Sequence, residues 1–285
     1  MLAQLVINVH SGRGREHADE TREALRDAGI TIIETAWPSE VVPQADCIVC
    51  AGGDGTLLGA IASAITRNLP LGIVPLGTFN DLARTLGIPL DVRGAVQVIA
   101  AGRARAIDAA RVNDRYYVNE ASIGVSSRVT RLQTPELKQR FGVFGVIATA
   151  FAALRYARPI RAEVHFDGRR ERMRTIQLTI ANSQHFGGFL HVADVAIDDG
   201  YLELYSVDIR HLYQAIAIAH ALLTGRRFDV PGLRTFRSRR FDVVTRRAHH
   251  IAADGEPAGT TPASFEVFPK ALRVFAPVPN EPHLA

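Results

Sequence analysis

The sequence predicts an open α/β domain followed by a β-sandwich, and three observations carry that reading. Near-continuous apolar runs at Leu2–Val9, Cys47–Cys50 and Leu71–Val74 are each followed by glycine and polar residues and then by a helical pattern. Buried parallel strands with crossover helices have this texture. From about Ala104 the rhythm changes to short alternating runs parted by Gly or Asn turns, the texture of a sandwich. Between the Cys47–Cys50 run and the next helix lies Gly52-Gly53-Asp54-Gly55-Thr56, at a strand's carboxyl end, where open α/β sheets bind ligands.

Composition sets the bounds. A chain of 285 residues with 47% hydrophobic and 22% charged residues reads as a soluble globular protein of one large domain or two ordinary ones. Its net charge is +4, unevenly placed: Met1–Ala110 holds 9 basic and 12 acidic residues (−3), the remainder 24 and 17 (+7). The basic half suits an anionic surface such as a membrane, although scattered solvated arginines account for the charge equally well. No nucleic-acid motif appears, so no nucleic-acid partner is expected. Leu2–Val9 reads as a strand with no basic leader, and the longest uncharged apolar stretch, Phe141–Leu154, is shorter than the ~20 residues of a membrane span. The expected location is cytoplasmic. Cys47 and Cys50 are the only cysteines; three apart on a strand they face opposite ways, so they read as buried apolar residues.

In the first domain, Leu2–Val9 ends in Asn8-Val9-His10-Ser11-Gly12. Glu16–Ala28 is an amphipathic helix stopped by Gly29, and Ile30–Thr35 a second strand. The link Ala36–Ala45, with Pro38 and Pro43, is too short for the usual crossover helix. Leu57–Ile65 is helical. After Leu71–Val74 comes Pro75-Leu76-Gly77-Thr78-Phe79-Asn80-Asp81, where Thr78 or Asn80 is placed to cap a helix Asp81–Leu86. Asp91–Ala101 is one more helix, ended by Gly102.

The second domain is predicted from Arg111–Val118, Arg161–Phe166, Met173–Ala181, Tyr201–Val207, Phe236–Thr245, His249–Ala253, Phe265–Phe268 and Leu272–Phe275. Two helices interrupt it. Phe141–Tyr156 is apolar nearly all round, so it is a core helix or a wall for an acyl chain, and His211–Leu223 is the other. The domains are thus 1–109, with the tail 276–285 packing back on it, and 110–275. The ten histidines show no metal spacing.

The Gly-rich loop has its own chemistry. Its glycines let backbone approach a ligand, and the helix start behind it seats phosphate. Asp54 repels a bare phosphate but suits magnesium, a proton or a hydroxyl, so the loop reads as nucleotide plus metal. An ordinary βα turn is the plain alternative. The run Gly52–Thr56 resembles the GGDGT signature of the diacylglycerol kinase catalytic family, which NAD kinases share. Pro75–Ala83 resembles the family's PxGTxNDxA run, which NAD kinases lack. Asn182 with Gly187-Gly188 and Asp198-Asp199-Gly200-Tyr201-Leu202 resembles its N…GGG…DDGxLxL run, and Asp254-Gly255-Glu256 its DGE.

The resemblance implies an active-site cleft between an α/β nucleotide-binding domain and a β-sandwich. It implies a Mg²⁺-dependent lipid kinase that transfers the γ-phosphate of ATP to a hydroxyl of a lipid such as diacylglycerol, peripherally at a membrane surface, and it allows a homodimer. Asn8, Ser11, Gly12, Thr35, Gly52, Gly53, Asp54, Gly55, Thr56, Thr78 and Asn80 would contact the nucleotide. Glu256 would be the general base, and Asp54 would hold catalytic magnesium. Asp199, with the carbonyls of Ala196 and Tyr201, would bind a structural magnesium. The rivals are an NAD kinase, whose Asn-Glu pair resembles Asn119-Glu120, and a non-catalytic nucleotide-binding regulatory protein.

Overall fold

A computed structural model describes residues 1–9, 13–38, 40, 42–125, 158–183, 185–186, 190–191, 196–208, 214 and 232–278. The chain divides into two compact units, Met1–Ile107 with Lys270–Ala285, and Asp108–Pro269. Phe141–Tyr156, and His211–Leu223 except Gln214, lie outside the described residues, as do Ser11, Gly12, Gly187 and Gly188.

The first unit is built on a parallel sheet. Strands β1 (Leu2–Ile7), β2 (Thr31–Glu34), β3 (Cys47–Gly52) and β4 (Leu71–Pro75) lie in the order β2-β1-β3-β4. The far end of a long strand, Ala263–Phe275, joins β4 in parallel with Val274 opposite Leu71. Every residue of β3 and β4 is buried, as expected of strands covered on both faces. Helices α1 (Ala18–Asp27), α2 (Asp54–Arg67), α3 (Asp81–Thr85) and α4 (Val92–Ala100) complete the unit. Leu5, Leu25, Val49, Val74, Val96 and Ile99 share its core. Burial pushes the Cys47 and Cys50 thiols up to about 12, so neither is a nucleophile or a ready metal ligand.

Helix ends follow local chemistry. Gly29 takes φ +73 after α1; its N–H bonds Arg26 O while Ile30 N–H bonds Leu25 O, with both apolar side chains buried. That pair of bonds satisfies two orphan carbonyls. Asp91 caps α4 by accepting from Gly94 N. Helix α2 begins three residues before the predicted Leu57. Gly55 and Gly59 each cost about 1 kcal/mol in a helix, but burial of Leu57, Ala60, Ile61 and Ala64 outweighs them.

The short link after β2 is held by side chains in place of a helix. Gln4 is fully buried on β1; its Nε2 donates to Glu40 O at 2.7 Å and to Thr35 Oγ1 at 3.0 Å. Arg67 at the end of α2 donates to Gln4 Oε1 and to Val42 O. Arg67→Met keeps the apolar stem but orphans a buried amide oxygen. The expected loss is about 1–3 kcal/mol, read as a lower urea midpoint with an unchanged slope.

The second unit is a sandwich of antiparallel strands. After β5 (Ala104–Val112) and β6 (Arg115–Tyr117) come β7 (Glu120–Gly124), β8 (Ile160–Phe166), β9 (Arg169–Thr175) and β10 (Gln177–Ala181). The short pair β11 (His185–Phe186) and β12 (Leu190–His191) precedes β13 (Leu202–Val207), β14 (Leu233–Ser238) and β15 (Arg240–Thr245). Strands β16 (His250–Ala253), β17 (Glu256–Thr260) and β18 (Ala263–Phe275) close the series. One sheet runs β14-β13-β10-β7-β16-β17; the other places β18, β15, β8 and β9 side by side, with β5 and β6 beyond β18. Ile123, Ile180, Leu204 and Ile251 of the first meet Val164, Phe241, Val243 and Phe265 of the second in one core. The Phe166 ring packs on Phe236 and Phe241, with centroids 5.1 and 5.4 Å apart. The sequence thus predicts the fold class correctly: an α/β first part, then a β-sandwich.

Candidate active site

In the first unit, two glycine loops at strand ends are packed backbone to backbone. A Cβ on Gly77 would lie 2.5 Å from Gly53 Cα and 2.8 Å from Asn80 Oδ1. One on Gly53 would lie 3.1 Å from Gly77 Cα, and one on Gly52 would strike the Thr56 side chain at 2.8 Å. Asn8, just past β1, donates through Nδ2 to Thr56 Oγ1 at 2.9 Å. Asp54 opens α2 and reaches across the loops. Its Oδ2 accepts from Asn80 N and its Oδ1 from Asp81 N, each at 3.1 Å.

This corrects the expectation that Thr78 or Asn80 caps α3. Asn80 stands at the cap position with φ +53, but its side chain gives no cap bond. Its Oδ1 accepts from Gly77 N, and its Nδ2 donates to Gly77 O. The cap of α3 is the carboxylate of Asp54, 26–27 residues away. Thr78 is exposed in the loop. The Thr35 hydroxyl is engaged within the short link, accepting from Gln4 Nε2 and donating to Trp37 O. Asn8, Gly52, Gly53, Asp54, Thr56, Gly77 and Asn80 therefore form one knit group, with Gly55 exposed on the first turn of α2.

Gly77→Ala drives a methyl into the Gly53 backbone, which has no flexible end to yield. The expected outcome is a stability cost of about 1–3 kcal/mol. A melting curve beside wild type checks it.

In the second unit, Asp254 (φ +45) and Gly255 (φ +81) make the two-residue turn between β16 and β17, with Ala253 opposite Glu256. The Asp254 carboxylate accepts three backbone N–H groups, from Val118 at 2.8 Å and from Asn119 and Glu120 at 2.9 Å. The DGE turn is thereby bolted to the start of β7. Glu256 is exposed at the head of β17, an edge strand. Nearby, the buried Tyr117 phenol is raised well above its ordinary value by burial and then by the charges of Asp254 and Glu120, so it stays neutral. Sequence reasoning named Asp254 only as part of a motif. Its role as acceptor joins residues more than 130 positions apart, and nothing local signals that.

The Asp198–Tyr201 turn is also specific. Gly200 (φ +75) donates to the fully buried Asp108 at 2.6 Å. Asp199 Oδ1 accepts from Tyr201 N, and Asp199 Oδ2 accepts from Arg237 Nη2, each at 2.9 Å. Magnesium takes oxygen ligands. Here the one side-chain oxygen donor expected of Ala196, Asp199 and Tyr201 already holds a guanidinium. Among the described residues no group of three or more His, Cys, Asp or Glu side chains is placed to hold a metal ion. The Asp199 carboxylate is thus already charge-paired with Arg237, and this turn balances that charge without a divalent cation.

Known proteins share this architecture. Residues 3–112 match the diacylglycerol kinase catalytic domain family, and residues 119–276 match the YegS C-terminal NAD kinase beta sandwich-like domain. The chain is 29% identical over 235 residues to a diacylglycerol kinase of Staphylococcus aureus, covering 81% of this chain and 75% of that one. It is 30% identical over 239 residues to an uncharacterized protein of Synechocystis, covering 82% of this chain but only 55% of that longer protein. A crystal structure of a diacylglycerol kinase from Bacillus anthracis superposes with a TM-score of 0.79 at 22% identity, covering 96% of both chains. An NAD kinase from Archaeoglobus fulgidus in complex with ATP superposes with a TM-score of 0.54 at 16% identity, covering 99% of this chain and 94% of that one. With its two glycine loops, its DGE turn and both family matches in sequence order, the chain belongs to the diacylglycerol kinase catalytic domain family and carries that family's YegS-type β-sandwich.

Proposed function

We propose that this chain is a lipid kinase that moves the γ-phosphate of ATP onto the hydroxyl of a lipid such as diacylglycerol. The observation that carries the reading is the pair of interlocked glycine loops at the start of α2. Gly53 stands at the cap position of that helix and offers no side chain to its first N–H groups, which leaves a seat for phosphate. Asn8 and Thr56 brace one side of the seat, and Asp54 fixes the second loop against it.

Glu256 is the proposed base. It takes the hydroxyl proton as the lipid oxygen bonds to the γ-phosphorus and the bond to the ADP oxygen breaks. Its exposure on an edge strand suits a group that must meet a bulky substrate. Magnesium, when bound, neutralises charge on the transferring phosphoryl group. A carboxylate oxygen takes more than one contact, so Asp54 fits as a ligand even while it caps α3. The reading places the protein in the cytoplasm and peripherally at a membrane surface, where the lipid is, and a homodimer is compatible with it. Among the described residues no helix is long and apolar enough to cross a membrane.

The NAD kinase reading keeps support from the ATP-bound Archaeoglobus fold and from Asn119-Glu120, held beneath the Asp254 carboxylate. Against it stands the Leu76–Ala83 run. A transfer assay with γ-labelled ATP and Mg²⁺, offering mixed lipid micelles and NAD in parallel, separates the two. Label in a lipid with wild type but not with Glu256→Gln is the expected result. Label in NAD alone overturns it, and ATP binding with no transfer to any acceptor supports a regulatory protein.

A further inference from the structure

Arg237 lies where the charge of the Asp198–Tyr201 turn has to be balanced. Its Nη2 donates to Asp199 Oδ2 at 2.9 Å. Its Nε lies 3.7 Å from Glu203 Oε1, on the residue paired directly across from it between β13 and β14. Its guanidinium carbon stands 4.5 Å over the Tyr201 ring. Asp199 and Glu203 thus converge on Arg237, and Glu203 is 8% exposed; the Tyr201 ring also faces Arg239, whose guanidinium carbon lies 5.3 Å from its centroid. The other side of the turn is anchored by Asp108, whose carboxylate accepts from Gly200 N and whose N–H donates to Ile197 O.

We infer that Arg237 is the built-in cation of this turn, a guanidinium doing electrostatically what a bound divalent ion would do. Two carboxylates, one in the turn and one four positions on in the strand, both lie within 4 Å of this guanidinium and share its positive charge. Arginine suits the place better than lysine. Its planar head reaches both carboxylates while stacking on an aromatic face. The turn that leads into β13 is then set without metal, and any magnesium requirement of the protein belongs to the nucleotide. This inference does not depend on which acceptor the enzyme phosphorylates.

Removing the guanidinium leaves Asp199 and Glu203 without the cation they share, and carboxylate oxygens are the ligands that Mg²⁺ or Ca²⁺ takes. The experiment is a melting series of nucleotide-free protein with and without about 10⁻³–10⁻² M MgCl₂ or CaCl₂. Wild type is expected to melt at the same temperature in every condition. Arg237→Gln is expected to melt about 2–4 °C lower and to recover at least half of that loss on adding the cation. Asp199→Asn combined with Arg237→Gln is expected to be blind to the cation. A wild-type protein whose melting point rises saturably with Mg²⁺, and loses that rise in Asp199→Asn, overturns the inference. So does an Arg237→Gln variant that melts like wild type and ignores the cation. The wild-type comparison holds even if a variant folds poorly.

Discussion

Glu256→Gln is expected to lower turnover by about 10²–10⁴-fold, the range for loss of a general base, while ATP affinity stays within about twofold. The substitution preserves shape and removes only the capacity to take a proton. Its structural cost is small, because the side chain is exposed and the Asp254–Gly255 turn holds the backbone without it. The nucleotide contacts proposed above come from Asn8, the Gly52–Thr56 loop and the Gly77–Asn80 loop, all in the other unit. Single-turnover transfer measures the first quantity and calorimetry the second. A variant that turns over at the wild-type rate takes the proton to another acceptor. A variant that loses ATP shows that Glu256 serves nucleotide binding instead.

Asp254→Ala is expected to destabilise the sandwich unit by about 3 kcal/mol or more. The N–H groups of Val118, Asn119 and Glu120 lose one common acceptor, and each buried donor left unpaired costs about 1–3 kcal/mol. Val118 and Asn119 are 1% and 3% exposed, so water relieves them poorly. A second cost adds to the first. Position 254 has φ +45, which asparagine and aspartate tolerate better than alanine. Asp254→Asn, with one acceptor oxygen and the same tolerance of backbone, is expected to fall between wild type and alanine. Thermal unfolding of the three proteins checks the order. Equal midpoints for alanine and wild type would show that the clamp contributes nothing.

What the sequence made legible was local. Gly29 ends α1 and Gly102 ends α4 because each takes a left-handed backbone, and a glycine after an apolar-periodic run says so. The strand-to-helix turn at Gly52–Thr56 is written in consecutive residues, as is the Asp254–Gly255 hairpin. The partners of the charged side chains were not legible. Asp54 caps a helix that starts at Asp81, Asp254 gathers N–H groups from Val118 to Glu120, and Asp199 meets Arg237 across 38 positions. Such pairings carry no periodicity, because they are set only when strands take their register. The Ala36–Ala45 link was recognisable as too short for a helix. That a fully buried glutamine and an arginine from α2 would tie it down was not.

The strand Ala263–Phe275 gives the folding of this chain a direction. Its first seven residues belong to the sandwich and its last six to the α/β unit, the division falling at Pro269 and Lys270, where φ turns to +54. The sandwich is therefore one uninterrupted stretch of chain, whereas the α/β unit is made in two instalments. On the ribosome, the strands that carry the glycine loops emerge early, yet the neighbour of β4 arrives only after all of residues 108–269. Until then β4 has an open edge, and the α/β unit waits for a segment that follows the sandwich's stretch of chain.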